Sequence, residues 1–128
     1  MLKINVRFQE EYLRLDSLCR DFFGSYRGVS LYIEQMELVD EREWSKIDGW
    51  ENDLKALKRM RHIRNRLAHE LDALDKRISS EKDISWMKDF YTRIMEETDP
   101  LTRLSDLRNK SFFKRFIRGI KKIFGGKK

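Results

Sequence analysis

One cysteine, one proline and six glycines are all that 128 residues contain of the types that staple, break or hinge a chain. The lone Cys19 excludes an internal disulfide and agrees with a reducing compartment. Scarce breakers, together with abundant Leu, Arg, Lys and Glu, favour long helices over a sheet. No apolar run approaches the ~20 residues needed to span a bilayer, and the start Met1-Leu2-Lys3-Ile4-Asn5 lacks the apolar stretch of a signal peptide. These absences point to a soluble cytoplasmic protein. Only two histidines are present. His62 and His69 lie seven apart on one helical face, but with no nearby cysteine and no acid at the right spacing, no metal site is expected. A Gly-rich phosphate loop is also missing, as is any discernible Ser/His triad, so neither nucleotide hydrolysis nor a cofactor finds support.

Charge is plentiful and unevenly placed. The chain carries a formal +6, which suggests a nucleic-acid or anionic-membrane partner. Residues 1–106 hold 19 basic against 22 acidic side chains, whereas residues 107–128 hold nine basic and no acidic ones. The body is mildly acidic, and the whole positive excess belongs to the tail. A length of 128 residues leaves room for one sizeable core. The natural division is therefore a body over 1–108 and a basic tail over 109–128.

Apolar residues recur at helical spacing in the body. Ile4, Phe8, Tyr12, Leu15, Cys19 and Phe22 step by three and four, which makes Cys19 a packed core thiol rather than a nucleophile. The stretch Gly24-Ser25-Tyr26-Arg27-Gly28 interrupts the pattern. Val29, Tyr32 (or Ile33), Met36 and Val39 resume it. The segment around Trp44, Ile47 and Trp50 reads as either a turn at Asp48-Gly49 or a tolerated interruption. From Glu51 a strong stripe runs through Leu57, Met60, Arg64, Leu67, Leu71, Leu74 and Ile78. Ser80 then offers an N-cap for a helix burying Ile84, Met87, Tyr91 and Ile94. Asp99-Pro100 reads as a cap with proline at the first position of a further helix carrying Leu101 and Leu104. The expected fold is all-α: an antiparallel bundle of four or five helices. The three tryptophans fit as core anchors better than as base-stacking surfaces.

Arg64 stands out in this pattern. It occupies a slot reserved for a hydrophobe, and a guanidinium is costly to desolvate alone. It must snorkel, pair with an acid, or face a pocket or subunit interface where an anion binds. Basic residues crowd the same stretch: Lys55, Lys58, Arg59, Arg61, Arg64 and Arg66, with His62 among them. No acid falls between Asp53 and Glu70, so a positive patch suited to phosphates is expected within an acidic body. Asn65 and His69 lie one turn apart, where the amide can orient the imidazole.

The run Arg64-Asn65-Arg66-Leu67-Ala68-His69 resembles the Arg-Asn-x-x-Ala-His signature of HEPN-domain proteins, over a chain segment of 1–108. The resemblance implies a small helical bundle acting as a metal-independent endoribonuclease, a bacterial toxin or phage-defence effector with an antitoxin partner. His69 would then be the acid/base, Arg64 would stabilise the phosphorane charge and Asn65 would position the imidazole. Lys58, Arg59, Arg61, His62 and Arg66 would hold RNA. Cleavage would leave 2′,3′-cyclic phosphate ends. In an unbroken helix Arg64 and His69 point about 140° apart. Convergence then needs the length of arginine, a local irregularity or a two-fold axis, so a homodimer is expected. The resemblance also covers non-catalytic RNA-binding or protein-interaction modules.

The tail has the cleanest periodicity. Phe112, Phe113, Phe116, Ile117, Ile120, Ile123 and Phe124 fall within about 140° at helical pitch, with Lys114, Arg115, Arg118, Lys121 and Lys122 opposite. Three uses are open. The apolar face docks on the body or a second copy and leaves a basic rail for RNA. Alternatively residues 110–126 lie in an anionic membrane surface, or they order on a partner.

Overall fold

A computed structural model of the protein describes residues 1–110, all of whose regular elements are helical. Helix α1 (Lys3–Phe23) buries Phe8, Tyr12, Leu15 and Cys19 along the expected stripe. It ends at Gly24, whose left-handed φ of +62° suits the residue without a side chain. Helix α2 (Val29–Glu37) buries both Tyr32 and Ile33. A single turn, α3 (Glu41–Trp44), is capped by the Asp40 side chain, which accepts from the Arg42 N–H at 2.8 Å. Helix α4 (Trp50–His69) is followed by a 3₁₀ turn over Leu71–Asp75, then by α5 (Glu81–Met95). Ser80 and Asp83 close the start of α5 with a reciprocal capping box. Residues 100–110 form a further helical stretch, α6, opened by Pro100, and Asp99 accepts the Thr102 N–H at 3.3 Å.

The core lies between α1, α2, α4 and α5. Phe8, Leu15, Tyr32, Leu57, Met87 and Phe90 are fully buried in it. The Tyr32 ring stands edge-on to Phe90 at 5.2 Å. Its hydroxyl donates to Asp99 and accepts the Leu101 N–H at 3.1 Å, tying α2 to the start of α6. Burial, reinforced by Asp99, pushes this phenol well above its ordinary range. Cys19 is likewise buried, and its thiol is pushed up to about 12. The expected inert core thiol is what the fold contains.

Polar contacts set the directions of the helices. Arg93 clamps Asp53 with bonds of 2.8 and 2.9 Å, and Arg59 clamps Asp83 with two of 3.1 Å. Moving up α4 from 53 to 59 therefore means moving down α5 from 93 to 83, so these two run antiparallel. Helices α1 and α5 start side by side: Arg7 pairs with Glu81, and Asn5 Oδ1 accepts from Ser79 Oγ at 3.0 Å. The same fully buried Asn5 donates to the carbonyls of Leu74 at 3.1 Å and Lys76 at 2.9 Å. It thereby binds the irregular segment after α4 onto α1. Periodicity gives no hint of this, because a lone asparagine inside a helix reads as a solvent-facing residue.

Four sequence expectations change. The stripe of α4 does not continue to Ile78: the helix stops at His69, and Leu71 is 87% exposed. Ile63, rather than Arg64, is buried beside Met60 and Leu67. In α5 the buried aromatic is Phe90, with Tyr91 only half-buried, while in α1 Phe22 lies outside the buried core at 41% exposure. The calls on Phe112 to Phe124 and on Lys114, Arg115, Arg118, Lys121 and Lys122 lie outside the described residues. Among the described residues no helix is long and apolar enough to cross a membrane.

Candidate functional site

The residues singled out from the sequence separate into two groups. Arg61, Arg64 and Asn65 line a polar cleft of about 350 Å³ together with Tyr12, Asp16 and Arg20 of α1. Tyr26, Arg27 and Ser30, from the α1–α2 turn and the first turn of α2, complete its wall. Four arginines from three segments thus line one cavity together with a single carboxylate residue, Asp16. Arg64 is neither buried nor packed in the seam. The slot it was expected to fill passes to Ile63, and its side chain reaches the cleft, where Nη1 donates to Asn65 Oδ1 at 3.3 Å. Arg64 is thus both exposed to solvent and part of the cleft wall.

The second group stands apart from the cleft. Arg59 is held by Asp83 and Lys58 by Glu37 at 2.9 Å, so both serve contacts between helices. Arg66 pairs along its own helix with Glu70 at 3.3 Å. His62 and His69 are exposed and neither lines the cleft. His69 is the last residue of α4, and the amide of Asn65 is engaged by Arg64 rather than by this imidazole.

Local structure explains how the cleft is held. Gly28 sits at φ +53° and ψ −125°, a region open almost only to glycine. A Cβ there would lie 2.2 Å from Asp16 Oδ1 and 2.9 Å from the Asp16 carbonyl oxygen. This close approach lets Asp16 Oδ1 accept the Val29 N–H at 2.9 Å, so α1 supplies the cap that α2 lacks. The other carboxylate oxygen holds Arg20 at 3.0 Å. The negative charge in the cleft is therefore already committed. Arg27 reaches out to Glu34. Among the described residues no carboxylate pairs with Arg61 or Arg64, which leaves two unpaired cations lining the cleft.

Tyr12 adds a donor beneath them. Burial, then the Asp16 charge, raises its phenol to about 12, with Arg64 and Arg61 pulling in the opposite direction. At neutral pH it is protonated and can donate a hydrogen bond but cannot act as a base. Arginine forks plus a phenol donor form a set that recognises the oxygens of a phosphate or carboxylate. A larger groove of about 510 Å³, lined in part by Met36, Trp44, Trp50 and Leu54, carries mixed polar and apolar walls and none of these arginines.

Among the described residues, fold and cleft together define an all-helical protein with an arginine-lined cavity. Its family is also established: a family model covers residues 6–122, and the chain belongs to DUF6548, a family of unknown function. This corrects the HEPN resemblance, since the matching model is DUF6548 and no HEPN family matches. The six-residue signature is short enough to arise by chance in a basic helix. No curated protein and no solved structure matches the chain.

Proposed function

We propose that the protein is a binding module for the phosphate backbone of RNA, with the Arg20–Arg27–Arg61–Arg64 cleft as its contact site. The observation that carries this reading is the convergence of four arginines on one cavity, two of them without a carboxylate partner among the described residues. Chemistry is not assigned to the site, because Tyr12 stays protonated and neither histidine lines the cavity. The nine basic residues of 107–128 add long-range attraction for the same polyanion.

Fluorescence anisotropy of a labelled RNA, titrated at several salt concentrations, tests the reading. Each phosphate contact contributes about 0.7 to the salt slope for a single strand, so the Arg61→Ala/Arg64→Ala double variant should lose about 1.4. His69→Ala should bind as the wild type does. Unchanged affinity and slope in the double variant would sink the cleft as the contact site. Cleavage in excess EDTA that vanishes with His69→Ala would replace the binding role with an enzymatic one.

A further inference from the structure

Tyr26 is the one aromatic among the cleft residues that faces solvent, and it is 84% exposed. It belongs to the turn between α1 and α2, at the point where the sequence breaks its helical pattern. That turn is pinned along its length. Ser25 N–H donates to the Arg20 carbonyl at 3.1 Å, Arg27 N–H to Ser25 Oγ at 3.2 Å, and Ser30 N–H to the Arg27 carbonyl at 3.2 Å. Gly28 then locks its far end against Asp16. A phenol ring is thus held in the open on an anchored backbone, beside guanidinium groups that suit phosphate oxygens.

We infer that Tyr26 is a stacking platform for an unpaired base and that the cleft therefore selects single-stranded over duplex RNA, an inference that rests on the phosphate-binding reading above. Two features carry it. A base stacked on a side chain must be free of its own neighbours, which a strand in a duplex cannot offer and a single strand can. In addition, the arginines converge on one concave cavity from α1, the turn and α4. Such convergence fits a phosphate of one splayed nucleotide, whereas a duplex demands cations strung along an open edge. The Tyr26 ring supplies area without reading base identity, because every base has a π-face.

The test compares three probes of equal backbone charge on the full chain: a short single-stranded RNA, the same backbone without bases, and an RNA duplex. Wild type should prefer the first. Tyr26→Ala should weaken single-strand binding about tenfold and leave the base-free backbone unaffected, and Tyr26→Phe should bind as wild type because the ring is kept. As the residue is exposed, Tyr26→Ala should keep the wild-type melting temperature, which separates lost stacking from lost fold. If Tyr26→Ala weakens the base-free probe equally, or weakens nothing, the stacking role is overturned. Tighter binding of the duplex overturns the strand preference. In either case a continued loss in Arg61→Ala/Arg64→Ala leaves the phosphate site standing. No loss in that double variant overturns both.

Discussion

Gly28 shows how one residue sets the geometry of the cleft. Its backbone takes a conformation that side chains rarely adopt, and it does so in contact with Asp16. Gly28→Ala meets both obstacles at once, the strained φ and a 2.2 Å approach to Asp16 Oδ1. The expected cost is about 3 kcal/mol, measured by chemical denaturation, with weakened RNA binding because Arg27 and Tyr26 hang on the same turn. Gly24→Ala is the control: nothing lies within 4 Å of its added Cβ, so it should cost clearly less than Gly28→Ala. The sequence marked both glycines as a break and offered no means of ranking them. The difference is the proximity of Asp16, twelve residues away.

At the level of the element, α4 divides its duties by face and by height. Trp50, Leu57, Met60, Ile63 and Leu67 enter the core, whereas Arg61, Arg64 and Asn65 line the cleft. Ile63 and Arg64 are neighbours about 100° apart, and an ideal wheel puts both near the apolar arc. Which one turns inward depends on where α1 and the α1–α2 turn leave an opening. Substitution distinguishes the two roles. Ile63→Ala should cost about 3 kcal/mol by removing buried methyl groups. Arg64→Ala should melt close to wild type but bind RNA more weakly. Equal costs for the two would mean that the face of α4 is wrongly assigned. Arg59 and Lys58 belong to the same basic run and yet hold Asp83 and Glu37, so charge density along a helix did not predict charge available to a ligand.

Across the whole molecule, buried proton donors link stability to pH. The Cys19 thiol rises from 9.0 to about 12 and the Tyr12 phenol from 10.0 to about 12, both chiefly through burial, and Tyr32 is also raised, first by the same cause. Each group is neutral when protonated, so a raised value means that the fold favours the protonated form. This contribution is fully present below the unfolded values and is lost as pH climbs through the folded ones. Denaturation midpoints should hold steady up to about pH 9 and then fall towards pH 12. In Cys19→Ala the decline should begin nearer pH 10, where the phenols start to ionise in the unfolded chain. A flat profile above pH 9 would mean these groups are open to solvent.

Much of the protein was legible residue by residue. The all-helical class, the stripe of α1, the buried thiol, the Ser80 cap and the Asp99-Pro100 start of α6 all follow from spacing and capping, which act within a few residues of chain. The sequence also marked Arg64 as a cation needing an anion, an acid or water. Only the tertiary structure decided which groups surround it. It drew Arg20, Arg27, Arg61 and Arg64 to one cavity and spent Arg59 and Lys58 on carboxylates of other helices. It also left His69 at the end of α4, outside the cleft. Such pairings depend on how helices far apart in the chain rotate and approach one another, and periodicity within a single helix carries no information about that. Within one chain the segment from Arg64 to His69 spans two surroundings: its beginning lines the cleft, and its end closes a helix.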